Sequence, residues 1–122
     1  MSVRALNHVG LHVLDVDRSR RFYAEVLGLS ELPRPDFDFP GAWFALGPGQ
    51  ELHLIGKSAS GDGRFKECHY SLEVENLDDL AARLVGLDLE HRGPLDRPDG
   101  ARQVFVGDPD SHEIELLEFP AS

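Results

Sequence analysis

From Leu6 the chain alternates: His8, Gly10 and His12 fall on one side, Val9, Leu11 and Val13 on the other. This period of two predicts a β-strand with a single apolar face. Asp15 or Asp17 then supplies the N-cap of a helix whose apolar stripe is Phe22, Tyr23, Val26 and Leu27, and Gly28 stands where a left-handed C-terminal cap belongs. The stretch from Ser30 to Gly41, SELPRPDFDFPG, is rich in proline and acid and predicts a loop with Phe37 and Phe39 exposed in it. Trp43 to Leu46 and Gln50 to Ile55 predict two strands joined by a Gly-Pro-Gly turn. The order then recurs. His69, Ser71 and Glu73 alternate with Tyr70, Leu72 and Val74, and Asn76 is placed to cap a helix carrying Leu77, Leu80, Ala81, Leu84 and Val85, which Gly86 ends. Strands are expected at Leu87 to His91 and Arg102 to Val106, and, after the turn GDPDS, at Glu113 to Phe119.

The two halves match at their ends. His8 and His69 open equivalent strands at an offset of 61 residues, and His53 and Glu115 sit in equivalent closing strands at an offset of 62. Fixed-period self-similarity marks a duplicated supersecondary unit. The expected fold is α+β: two paired βαβββ modules, module one about 5–56 and module two about 68–119, joined by a Gly/Ser-rich linker at about 57–67 into a single domain over 1–122. A chain of 122 residues buries one core and is too short for two ordinary domains. The strand faces that carry His8, Gly10, His12, Glu51, His53, His69, Ser71, Glu73, Glu113 and Glu115 are too polar to be buried without partners or a ligand. A curled mixed sheet with that face lining a metal cleft accounts for them.

The formal charge of −10 argues against nucleic acid or an anionic membrane as partner, since both demand clustered Lys and Arg. Arg18, Arg20 and Arg21 read as a solvated helix face. No stretch approaches the ~20 apolar residues of a membrane span, and the N-terminus lacks the basic and apolar regions of a signal peptide. With Cys68 as the only cysteine, no intrachain disulfide can form. A cytoplasmic protein is expected, with Cys68 packing as a small hydrophobe.

Four strings, LNHVGLHVLD, SRRFYAEVLGL, HYSLEV and GDPDSHEIELLEF, stand in this order and spacing over essentially the whole chain. Together they resemble the vicinal oxygen chelate superfamily, the glyoxalase, bleomycin-resistance and extradiol dioxygenase group. The resemblance implies a metal cleft with ligands from the first and last strand of each module, here His8, His53, His69 and Glu115. It also implies a divalent transition metal (Ni, Co, Zn, Mn or Fe) with open positions for two adjacent oxygens of a small-molecule substrate. Glu115 and His53 are the residues expected to move protons, His53 as either ligand or base. The leading expectation is a glyoxalase-like isomerase or lyase.

Where the glyoxalase I branch usually places Glu or Gln, this chain has His53, which weakens any assignment to methylglyoxal and glutathione. An extradiol dioxygenase using iron, and a drug-sequestering binding protein of the bleomycin-resistance type, are the alternatives. His12, Phe39, Trp43 and Arg102 are the expected substrate contacts, with Gln103 beside Arg102 as a further polar group. Phe37, Phe39 and Trp43 form a wall over the metal, a dimer contact or a loop anchored on the sheet edge. His91 and His112 read as surface residues, and a homodimer whose sites borrow strands from both partners is expected.

Overall fold

The computed structural model describes residues 5–56 and 69–121, so the expected linker and Cys68 lie outside the described residues. The chain forms two compact units, Met1–Gly63 and Arg64–Ser122. The first contains β1 (His8–Val13), α1 (Val16–Arg21), β2 (Glu31–Leu32), β3 (Gly41–Gly47) and β4 (Gln50–Gly56). Its sheet runs β1-β4-β3-β2, with β1 parallel to β4 and the other pairs antiparallel.

Asp15 caps α1 as expected, its Oδ1 accepting the Arg18 N–H at 3.0 Å. The helix then widens into a π-helical turn over Phe22–Val26, where the Leu27 N–H reaches the Phe22 carbonyl at 3.4 Å. The extra residue in that turn lets two consecutive aromatic residues, Phe22 and Tyr23, both face the core. Gly28, at φ 69°, supplies the left-handed exit that the sequence predicts. Alternation along the strands sends Val13, Ala42, Phe44, Leu52 and Leu54 to the same buried side. The rings of Phe22 and Tyr23 meet edge to face at 5.1 Å.

One strand of this unit was hidden in the predicted loop. Glu31 and Leu32 pair with Phe44 and Trp43 as a two-residue edge strand, too short to show any alternation.

The second unit repeats the plan with β5 (His69–Glu73), α2 (Leu77–Gly86), β6 (His91–Asp96), β7 (Arg102–Gly107) and β8 (Glu113–Glu118). Its sheet runs β5-β8-β7-β6 with β5 parallel to β8, strand for strand the order of the first. Its core is Leu77, Ala81, Leu84, Val104, Val106, Ile114 and Leu116.

Three local expectations need correction here. Asn76 does not cap α2 with its side chain: its backbone is left-handed, φ 57°, whereas a capping residue is normally extended. Glu118 of β8 takes over, its Oε2 accepting the Leu77 N–H at 3.2 Å. Gly86 is the last residue of the helix rather than its left-handed exit. That exit is Asp88, at φ 56°, and the Leu89 N–H closes back on the Leu84 carbonyl at 3.0 Å. Because Leu87 to Leu89 finish the helix, the strand expected there begins only at His91. It contains Gly93 and Pro94, which an edge strand tolerates.

His112 is buried rather than a surface residue. In the β7–β8 turn Asp108 Oδ1 accepts the N–H groups of Asp110 (2.9 Å) and His112 (2.8 Å), and Asp108 Oδ2 lies 2.8 Å from His112 Nδ1. The hydrogen bond to Asp108 raises the imidazole pKa above its ordinary 6.5, opposed by burial and assisted by the charges of Asp108 and Asp110. A raised folded-state value means that the stabilisation is complete below the unfolded pKa and disappears as pH climbs through the folded one. Urea unfolding across pH is therefore expected to show stability falling from about pH 6.5 upward, and His112→Gln to flatten that slope; an unchanged slope in the variant contradicts the assignment.

Among the described residues, no helix is long and apolar enough to cross a membrane.

Candidate functional site

The strand registers of the two units coincide at the positions singled out in the sequence. In the first unit His8 stands opposite Glu51 and Gly10 opposite His53; in the second His69 stands opposite Glu113 and Ser71 opposite Glu115. His53 and Glu115 are thus each two residues beyond the partner of the opening histidine. The antiparallel neighbour repeats as well, with Trp43 opposite His53 and Phe105 opposite Glu115.

In the first unit the imidazoles are fixed by stacking. The His53 ring lies between that of Trp43, at 4.0 Å and 4°, and that of His8, at 4.2 Å and 16°. One nitrogen of each histidine has an oxygen partner: His8 Nδ1 is 2.8 Å from Asn7 Oδ1, and His53 Nε2 is 2.8 Å from Glu51 Oε1. A carboxylate or amide oxygen on one ring nitrogen fixes the tautomer and leaves the other nitrogen as an acceptor, the state in which imidazole binds a metal or takes a proton. The row of planar groups continues through Phe37 (6.1 Å from Trp43) and Phe39 (5.3 Å from Phe37) to the Arg34 guanidinium, 4.9 and 5.0 Å from those two rings.

In the second unit the fixing is polar. Glu115 is only 6% exposed, while His69 sits at the surface. Glu115 Oε1 is 3.3 Å from His69 Nε2, and its Oε2 accepts from Gln103 Nε2 at 3.1 Å with Arg97 Nη1 at 3.9 Å. A buried carboxylate carries a large desolvation cost, which the hydrogen bond from Gln103 and the nearby charge of Arg97 offset. Phe105 closes one side, its ring 6.3 Å from that of His69 and 4.5 Å below the Arg92 guanidinium.

The other expected contacts are spread more widely. His12 shares the face of His8 and is exposed; Phe39 stacks on Phe37 in the loop before β3. Arg102 falls on the opposite face of β7 from Gln103, pairing through Nη1 with Asp78 of α2 at 3.0 Å. A cavity of about 740 Å³ in the first unit, lined by Leu14, Asp15, Arg20, Arg34, Pro40 and Gly56 among others, takes in none of the four proposed ligands. Arg97 and Phe105 were not singled out in the sequence. Phe105 was recoverable from its register match to Trp43, whereas nothing local to Arg97 points to Glu115.

Among the described residues, no group of three or more His, Cys, Asp or Glu side chains is placed to hold a metal ion. Each unit instead presents a pair. The donor types themselves, two imidazoles in the first unit and an imidazole with a carboxylate in the second, are ones that divalent transition metals accept. Two donors on one tetrahedral ion stand about 3.4 Å apart when each bond is about 2.1 Å, and the 3.3 Å between His69 Nε2 and Glu115 Oε1 matches that edge.

Known proteins resemble this chain in sequence and in fold. Glyoxylase I 4 of Arabidopsis thaliana is 30% identical over 95% of this chain and 71% of its own length. The lactoylglutathione lyase of Salmonella typhimurium is 31% identical over 93% of the chain and 91% of its own length. Among solved structures, the glyoxylase/bleomycin resistance protein/dioxygenase domain from Frankia sp. EAN1pec superposes with a TM-score of 0.80 at 26% identity, covering 98% of this chain and 100% of that one. The family model of the Glyoxalase/Bleomycin resistance protein/Dioxygenase superfamily matches residues 5–116, and the chain belongs to that superfamily.

Proposed function

We propose that this protein is a divalent-metal-dependent isomerase or lyase of glyoxalase type, acting on a small substrate with two adjacent oxygens. His8, His53, His69 and Glu115 are the residues that would hold the metal, and a homodimer is the proposed assembly. The observation that carries the reading is the common register of His53 and Glu115 behind equivalent histidines, together with the 3.3 Å spacing of His69 Nε2 and Glu115 Oε1. The bound metal supplies Lewis acidity toward the substrate oxygens. The chain's own residues do the rest. Glu51 orients His53 through Nε2, so that Nδ1 is the nitrogen open to a ligand or a proton. Trp43 holds the plane of that ring, and Phe37 and Phe39 extend an apolar wall beside it for the carbon part of a substrate. Support for the reaction class comes from the similarity to a lactoylglutathione lyase.

The test is turnover by protein reconstituted with nickel, cobalt, zinc or manganese on thiol adducts of small 1,2-dicarbonyls. Conversion that His8→Ala and Glu115→Ala both eliminate supports the reading. Oxygen uptake with catechols by the ferrous protein, and no conversion of the adducts, replaces it with the dioxygenase.

The aromatic row favours a second reading, a drug-sequestering protein. A flat aromatic ligand would stack at an end of the column formed by Phe39, Phe37, Trp43, His53 and His8, and Trp43, the single tryptophan, would report its binding by fluorescence without any metal.

A further inference from the structure

The two oxygens of Glu115 have different partners. Oε1 faces His69 Nε2, whereas Oε2 receives the Gln103 amide at 3.1 Å and lies 3.9 Å from Arg97 Nη1. Arg97 is itself braced, its Nε donating to Asp99 Oδ1 at 2.9 Å, and the same oxygen accepts the Ala101 N–H at 3.1 Å. The brace therefore comes from a turn tied down at its own base.

Strand register explains why Gln103 can do this. Phe105 is opposite Glu115 and Gln103 opposite Leu117, so Gln103 is the diagonal neighbour of Glu115 on the same face, within reach of a long side chain. The first module has no counterpart: two residues before Trp43, the position matching Gln103 is Gly41. The difference follows the chemistry of the two site residues. An imidazole offers one lone pair in a fixed ring plane, and stacking suffices to aim it. A carboxylate has two like oxygens and can chelate with both, or rotate, unless one of them is occupied.

We propose that Gln103, backed by Arg97, is a positioning residue that confines Glu115 to one-oxygen ligation, with Oε1 presented to the metal and Oε2 retained by the protein. The proposal rests on the metal-dependent reading above. It also narrows the role of Glu115: a carboxylate held in this way serves as a fixed ligand.

Cobalt(II) titration with visible absorption tests it, because affinity and coordination number are read without turnover. Gln103→Met keeps the length of the side chain and removes the donor. It is expected to weaken cobalt binding by about 10–100-fold, the usual effect of losing an outer hydrogen bond to a ligand, and to lower the visible molar absorption as the freed carboxylate binds through both oxygens. Gln103→Lys restores a donor and recovers the wild-type spectrum. Arg97→Met shifts affinity and spectrum in the same direction by less, and serves as the test if Gln103→Met does not fold. Wild-type protein that binds cobalt while Gln103→Met binds it with the same affinity and spectrum overturns the proposal and leaves the metal reading standing. Wild-type protein that binds no cobalt overturns the metal reading, and this proposal with it.

Discussion

Glu115→Leu is expected to weaken divalent-metal affinity by more than about 100-fold, beyond the 10–100-fold typical of an outer-shell loss. The substitution removes the only carboxylate of the proposed ligand set and strands two donors. In the Glu115→Leu variant the Gln103 amide and the Arg97 guanidinium face an apolar side chain, and His69 Nε2 loses the oxygen 3.3 Å away. Loss of binding alone would not separate ligation from collapse of the site, so Glu115→Gln is the control. It preserves shape and a hydrogen-bonding oxygen but not the charge, and is expected to fold normally while still losing most of the affinity. Competition with a chelator of known strength reads both variants. Wild-type affinity in Glu115→Gln would remove the residue from the ligand set.

The second large effect concerns the fold. Phe44 is fully buried, packs 6.2 Å from the Tyr23 ring and lies on β3 one residue from Trp43, on the opposite face. Phe44→Ala is expected to cost about 3–5 kcal/mol from lost transfer energy and the cavity left behind, a large share of the roughly 5–15 kcal/mol that holds a typical domain. Urea denaturation should show the midpoint falling with little change in slope. Since Trp43 anchors the His53 stack from the same strand, its fluorescence should report the first module loosening at the same denaturant concentration. A loss below about 1 kcal/mol, well under the range for an emptied aromatic site, would mean that the helix and sheet of this module are not held together by these aromatics.

The duplication was legible in the fixed offset between the halves, and the side of each sheet that carries imidazole and carboxylate in period-two alternation, whereas the parallel pairing of opening and closing strands is visible only in the structure. His53 and Glu115 could be matched by counting, and the registers place them at the same step. Features that depend on distant partners escaped. Glu118 caps a helix 41 residues away, and nothing near Asn76 announces that its backbone will be left-handed. The edge strands β2 and β6 carry too few alternating residues, or a Gly-Pro step, to read as strands. His112 looked like a turn residue because its burial depends on Asp108 folding over it. Gln103 was noticed as a polar group near the site, yet its partner could be named only once β7 and β8 were in register.

His8, His53, His69 and Glu115 are the proposed ligands of a divalent metal. X-ray absorption of the protein loaded with one equivalent of zinc or cobalt tests this most directly, because outer-shell scattering from imidazole rings counts histidine ligands. Two to three imidazoles with one short carboxylate oxygen are expected, together with the loss of one imidazole's share of the scattering in His8→Ala and in His69→Ala. A spectrum of oxygen ligands without imidazole scattering, unchanged in either variant, would contradict it.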